Sequence, residues 1–216
     1  MNEQTARTEI CRIGKSLFER GYVHAGAGNI SVRLDDGFLI TPTDACLGLL
    51  QPGELAKVDL AGLQVSGERA SKTLALHRRI YEAQAQLGRP AGCVIHTHST
   101  HCVALTLADP VGELLPPITP YFVMKVGHVP VVPYHRPGDP AVGDLVAALI
   151  ARHAPIAIRA VMLSRLGPNV WHDTPARAMA VLEELEETAR LWLLARPTPL
   201  PEQAIEELRA VFGASW

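Results

Sequence analysis

The chain has 216 residues, 48% of them apolar, and its 20 Lys and Arg against 22 Asp and Glu leave a formal charge of −2. That length suits one domain around one sizeable core. The near-neutral balance excludes the electrostatic footprint of a nucleic-acid or anionic-membrane binder.

Apolar residues at Ile10, Ile13, Leu17 and Phe18 recur at helical spacing and predict a helix over 5–20, which Gly21 ends. NISVRL alternates, turns at Asp35-Asp36-Gly37 and returns as FLITPT, a β-hairpin with a proline-containing exit loop. LAKVDLAGLQVSG predicts a second hairpin about Ala61-Gly62. Over 71–87, Leu74, His77, Tyr81 and Ala85 share one helical face. AGCVIHTH reads as a buried strand, and STHCVALTLA as a helix with Ser99 or Thr100 at its N-cap. HVPVVPY is a short strand, and DPAVGDLVAALIARH a helix with proline in its first turn. AIRAVMLSRLG is a further strand, TPARAMAVLEELEETARLWLLAR a long amphipathic helix, and 201–212 a last helix. No repeat or linker interrupts this order, so 1–216 is expected to form one α/β domain, with a core of about 9–194 and a helical tail over 197–216. No run reaches the ~18–20 apolar residues of a membrane span, and the N-terminal residues lack a signal core. Cys11, Cys46, Cys93 and Cys102 form no CxxC pair, which fits a reduced, cytoplasmic setting.

The stretch CVIHTHSTHC concentrates three histidines in six residues. Residues i and i+2 of a strand point to one face, so His96 and His98 project together and could hold one ion as neutral imidazoles. His101 lies at the following helix start and need not share their direction. A pair that only bonds locally is the plain alternative.

The context of that pair is specific. GNISVR (28–33), TPT (41–43), SKTLALHRRIY (71–81), VIHTHSTH (94–101), TPYFVMKVG (119–127), VPYHRPGD (132–139) and EELEETARL (183–191) occur in an order and spacing that resembles the class II aldolase/adducin family. The nearest likeness is to its 3-oxo-tetronate 4-phosphate decarboxylase branch. The resemblance implies a three-layer α/β/α domain around a mainly antiparallel central sheet, assembled as a homotetramer with interfacial active sites. It also implies a divalent metal, usually zinc, on three histidines, two of which match His96 and His98. Asn29, Thr43, Ser71 and Lys72 match the loops that grip a substrate phosphate. Tyr121 matches a proton-donor tyrosine, and Thr73 stands at the family's acid/base position. The implied activity is a metal-dependent carbon–carbon lyase. It would decarboxylate, or cleave by retro-aldol reaction, a small 3-oxo acid or sugar-acid phosphate, with the metal stabilising the enolate as a Lewis acid.

Three positions depart from the family pattern. Leu166 stands where the third metal histidine is expected, and the candidate replacements are His135, then His128, then His172. Thr73 replaces a carboxylate, and its hydroxyl cannot cycle a proton near neutral pH. It can instead serve as a helix N-cap. That loss harms retro-aldol chemistry, which must deprotonate a hydroxyl, more than decarboxylation, in which CO₂ itself leaves. Asp44 replaces the glycine after TPT and would repel a desolvated phosphate. These departures define the alternative, a non-catalytic or re-purposed protein with a degraded metal site. His77 reads as a buried structural histidine, Cys93 and Cys102 as small packing groups, and EELEETAR as a solvated or interface face with i,i+3 and i,i+4 charge pairs.

Overall fold

The computed structural model describes residues 1–108 and 112–216. Helix α1, Glu3–Glu19, starts two residues earlier than its apolar pattern because the Asn2 side chain accepts the Thr5 N–H at 2.8 Å. Strands β1 (Asn29–Leu34) and β2 (Gly37–Ile40) form the first hairpin, in which Leu34 faces Gly37. Strands β3 (Ala56–Asp59) and β4 (Gln64–Ser66) form the second. Helix α2 (Leu74–Gln86), strand β5 (Cys93–His96) and helix α3 (Thr100–Thr106) follow, then a π-helical turn at Phe122–Val126. The chain closes with β6 (Val131–Val132), α4 (Ala141–Arg152), β7 (Ala160–Leu163), β8 (Gly167–His172), α5 (Pro175–Ala195) and α6 (Glu202–Phe212).

The eight strands make one sheet in the order β4-β3-β2-β1-β5-β8-β7-β6. Every pairing is antiparallel except β6 with β7. Alternation along the strands divides the core in two. Ile30, Val32, Cys93, Ile95, Met162 and Val170 face Ile10, Ile13 and Leu17 of α1, Leu105 of α3, and Leu182 and Leu185 of α5. On the other face Ile40, Val58, Val94, Val161 and Trp171 meet Ile80 and Tyr81 of α2 and Val142, Val146 and Ile150 of α4. Each fully buried aliphatic side chain contributes roughly 1.5–3 kcal/mol. The result is the expected three-layer α/β/α domain with a mainly antiparallel sheet. Among the described residues no helix is long and apolar enough to cross a membrane.

Four local features differ from the sequence reading. Strand β8 was not among the expected elements, because its Gly-Pro start carries no strand signal. It nevertheless pairs with both β5 and β7. Strand β5 ends at His96, so His98 lies just beyond the ladder. Ser99 occupies the N-cap of α3 without a capping bond, because its hydroxyl is 2.5 Å from that of Thr97. The first turn of α3 is capped instead by Glu186 of α5, which accepts from the backbone N–H of His101 at 2.9 Å and of Cys102 at 3.0 Å. Glu186 is therefore buried, at 3% exposure, and does not belong to a solvated or interface face.

Candidate active site

The site begins with three polar residues in one row across the sheet. Asn29 of β1 lies opposite His96 of β5, and His96 lies opposite Asn169 of β8. Directly opposed residues on neighbouring strands share a face, here the α2 side. All three are buried. The Asn29 Oδ1 and both amide atoms of Asn169 have no hydrogen-bond partner. Buried groups left this way are costly, about 1–3 kcal/mol each, so this row carries polar atoms that the fold itself does not satisfy.

Backbone bonds bring the three expected loops to this row. Thr41 donates its N–H to the Ile30 carbonyl at 3.1 Å, and its hydroxyl accepts the Ile30 N–H at 3.2 Å. Thr43 N–H reaches the Arg69 carbonyl at 2.9 Å, Ser71 N–H reaches the Thr41 carbonyl at 3.3 Å, and Pro42 bridges to Ala70. The GN, TPT and SK loops are thus one unit. Within it, Asn29 Nδ2 donates to Thr73 Oγ1 at 3.3 Å and Ser71 Oγ donates to the same oxygen at 3.2 Å. Thr73 makes no capping bond to α2. The Ser71 hydroxyl instead accepts the Thr73 N–H, at 3.4 Å. Thr73 therefore occupies the N-cap position of α2 as expected, but its hydroxyl turns to Asn29 and Ser71 instead of capping the helix. Lys72 is exposed. Asp44 is exposed too, and its φ of +58° keeps the left-handed backbone in which glycine is the usual residue.

His96 and His98 stand with ring centres 5.1 Å apart at 65°. His96 Nδ1 lies 3.0 Å from the Pro168 carbonyl. A carbonyl only accepts, so Nδ1 carries the proton and Nε2 keeps a free lone pair, the arrangement that orients a metal-binding imidazole. Burial, reinforced by the neighbouring His98, lowers the pKa of His96 to about 4. Burial and then His24 lower that of His98. Both rings are therefore neutral near pH 7 and fit a divalent cation as ligands. Leu166, at the expected third position, packs partly buried against the α2 and α4 core and offers no donor. Among the described residues, no three His, Cys, Asp or Glu side chains are close enough as placed to enclose an ion.

The candidate replacements for Leu166 have other partners. His135 Nδ1 is 3.3 Å from Asp139, His128 stacks on Trp216 at 4.2 Å, and His172 bonds Asp173 and Arg159. His172 also pairs with Cys93, three residues along β5 from His96. His101 belongs to Glu186, through Nδ1 at 2.8 Å. Tyr121 precedes the π-helical turn and is 62% exposed, and among the described residues no hydrogen bond or ring contact ties it to His96 or His98. Two residues of the site were missed by the sequence reading. Asn169 had a faint signal, a lone amide in an otherwise apolar strand. His24, whose ring centre lies 6.3 Å from that of His98, had only its nearness to the GN loop.

His77 confirms its structural reading and carries a pH prediction. It is fully buried, with Nδ1 2.8 Å from the Ser31 hydroxyl, which also meets the Tyr81 hydroxyl. Burial, helped by His96, lowers its pKa from 6.5 to about 3. The unfolded chain then takes up a proton below pH ~6.5 that the folded chain refuses. Stability from this group is complete above that pH and is lost as pH falls toward the folded value. Between pH 7 and pH 5 the loss is expected to be about 2 kcal/mol. Urea unfolding at both values should show it, and a His77→Gln variant should lose less stability over that interval. An equal loss in the variant would refute the assignment.

Comparison with known proteins follows this geometry. Residues 8–193 match the model of the Class II Aldolase and Adducin N-terminal domain. The chain is 56% identical, over 99% of both proteins, to a 3-oxo-tetronate 4-phosphate decarboxylase of Cupriavidus necator. The crystal structure of YgbL from Klebsiella pneumoniae superposes with a TM-score of 0.87 at 40% identity, covering 97% of this chain and 100% of that one. An L-fuculose 1-phosphate aldolase has the same fold, with a TM-score of 0.80 at 23% identity, over 99% and 98% of the two chains. With the three-layer sheet, the joined GN, TPT and SK loops and the paired histidines, the matched span places this chain in the class II aldolase and adducin N-terminal domain family.

Proposed function

We propose that this protein is a divalent-metal-dependent lyase that decarboxylates 3-oxo-tetronate 4-phosphate or a 3-oxo sugar-acid phosphate of the same shape. The observation that carries the reading is the convergence of the GN, TPT and SK loops on the buried end of β5, where His96 presents its free Nε2. The decarboxylase of Cupriavidus necator, 56% identical along nearly its whole length, supports it. The non-catalytic alternative is not favoured by that relationship.

In such a substrate the carboxylate is β to the keto group. Breaking the C1–C2 bond releases CO₂ and leaves its electron pair on C2, C3 and the keto oxygen. One proton at C2 then gives glycerone phosphate. A divalent ion held by His96 and His98 would supply the positive charge that stabilises the developing oxyanion. Asn29 offers the second N–H of its amide to the anionic end, Thr43 its hydroxyl, Ser71 its own hydroxyl once that turns from Thr73, and Lys72 adds a point charge. Thr73, whose oxygen already accepts from Asn29 and Ser71, positions those donors and does not cycle a proton. Decarboxylation needs no base to start, which agrees with a hydroxyl at position 73.

Tyr121 is the proposed acid for the C2 protonation. Its exposure and lack of contact with its own histidines support delivery from a neighbouring copy, so the active assembly is inferred to be a homotetramer with interfacial sites. Neutral imidazole donors suit zinc among the available ions. A cytoplasmic role in carbohydrate-acid breakdown completes the reading. The test is turnover of 3-oxo-tetronate 4-phosphate by protein purified without chelator, following CO₂ and glycerone phosphate together, with L-fuculose 1-phosphate as a retro-aldol control. Equimolar release of the two products is expected. No CO₂, or cleavage of the control alone, would sink the proposal.

A further inference from the structure

We propose that His24 is the third protein ligand of the metal site in this chain, replacing the donor lost at Leu166. The inference rests on the reading of His96 and His98 as ligands. Two imidazoles sharing a tetrahedral ion at about 2.0–2.1 Å have ring centres roughly 5 Å apart, and the His96–His98 separation of 5.1 Å already meets that requirement. His24 and His98 are 6.3 Å apart at 75°, so the His24 ring must move at least about 1 Å toward His98, and it must also come within reach of His96, with which it makes no ring contact among the described residues.

The loop that carries His24 is built against the site. A Cβ on Gly26 would stand 2.8 Å from the Asp44 carbonyl oxygen, and one on Gly28 would stand 3.0 Å from the His96 carbonyl oxygen. Both glycines therefore let the loop lie directly on the TPT segment and on the end of β5. Just before these anchors the loop is strained. His24 is exposed, and Ala25 beside it holds a φ of +46°, a conformation that costs a non-glycine residue of order 1–3 kcal/mol. Among the described residues the His24 side chain has no hydrogen-bond or ion-pair partner, and its one ring neighbour is His98.

Elimination points the same way. His101, His128, His135 and His172, which meet Glu186, Trp216, Asp139 and the Asp173–Arg159 pair, make no ring contact with His96 or His98 among the described residues. His153 Nδ1 bonds the Leu149 carbonyl. His77 is held through Nδ1 by Ser31, and although its Nε2 has no partner its ring makes no contact with His96 or His98 among the described residues. Of the nine histidines, His24 alone is both unengaged and beside the pair.

The test is Co²⁺ titration of full-length, chelator-stripped protein, read by the visible ligand-field spectrum and by calorimetry. Wild type is expected to give the intense bands of a low-coordinate site. His24→Ala should bind at least about tenfold more weakly, with weaker bands and unchanged thermal unfolding of the metal-free protein. Adding Leu166→His to His24→Ala restores a third imidazole at the family position and should recover both affinity and spectrum. If His24→Ala binds Co²⁺ like wild type while His96→Ala does not, the assignment of His24 is overturned and the lyase reading stands. If His96→Ala also binds like wild type, or wild type binds none, the histidine pair is not the metal site and both readings fall.

Discussion

Replacing His96 by alanine is expected to lower kcat/KM for the 3-oxo acid phosphate by about three orders of magnitude and to remove most of the bound metal. His96 ends β5, in register with Asn29 on one side and Asn169 on the other, and its Nδ1 is spent on the Pro168 carbonyl. What remains is one lone pair at Nε2, on a residue whose register neighbours Asn29 and Asn169 carry unpartnered amide atoms among the described residues. A Lewis-acid ion contributes several kcal/mol of transition-state charge stabilisation, and about 4 kcal/mol corresponds to a thousandfold in rate. Metal analysis after dialysis, steady-state kinetics and the thermal midpoint of the metal-free protein measure the three consequences separately. Alanine also removes one of the two bonds to the Pro168 carbonyl and leaves the one from the Thr97 N–H at 3.3 Å, so only a modestly lowered midpoint is expected in addition. Full activity in a folded, metal-poor His96→Ala protein would contradict the role given to this residue.

Much of this arrangement could be read from the residues. The helices follow from apolar spacing, as in α1, where Ile10, Ile13 and Leu17 became the buried stripe. The first hairpin followed from an alternating run around Asp35-Asp36-Gly37. The motif order sufficed for the fold, and the histidine pair for the end of the sheet where the site lies. What escaped depends on contacts between distant segments. Strand β8 begins with Gly167-Pro168, which locally signals a turn, and is a strand only because β5 and β7 flank it. Asn169 becomes part of the site through that pairing. The approach of His24 to His98 depends on a loop laid over two backbones at Gly26 and Gly28, and no periodicity encodes such a contact. Thr73 had a local explanation as a cap, but the structure turns it to Asn29 and Ser71 instead.

The run EELEETAR supplies the second large effect, because two of its glutamates look alike in sequence and differ in the fold. Glu186 is 3% exposed and accepts three bonds, from His101 N–H at 2.9 Å, His101 Nδ1 at 2.8 Å and Cys102 N–H at 3.0 Å. It ties α5 to the first turn of α3, which follows His98 after one residue. Glu183, three residues earlier, makes a partly exposed ion pair with Arg20 at 3.0 Å. Removing the Glu186 carboxylate leaves one buried backbone donor, on Cys102, and one part-buried donor, on His101, without acceptors, at about 1–3 kcal/mol each. Glu186→Ala should therefore cost roughly 3 kcal/mol, a fall in midpoint of about 6–12 °C for a chain of this size. Glu183→Ala should cost less than about 1 kcal/mol, as screened surface pairs do. Glu186→Gln keeps one acceptor oxygen and should fall between the two. Because α3 sets the backbone just after His98, the alanine variant should also weaken Co²⁺ binding, whereas Glu183→Ala should leave it unchanged. Equal, small losses from both alanine variants would show that the buried carboxylate does not hold the two helices together.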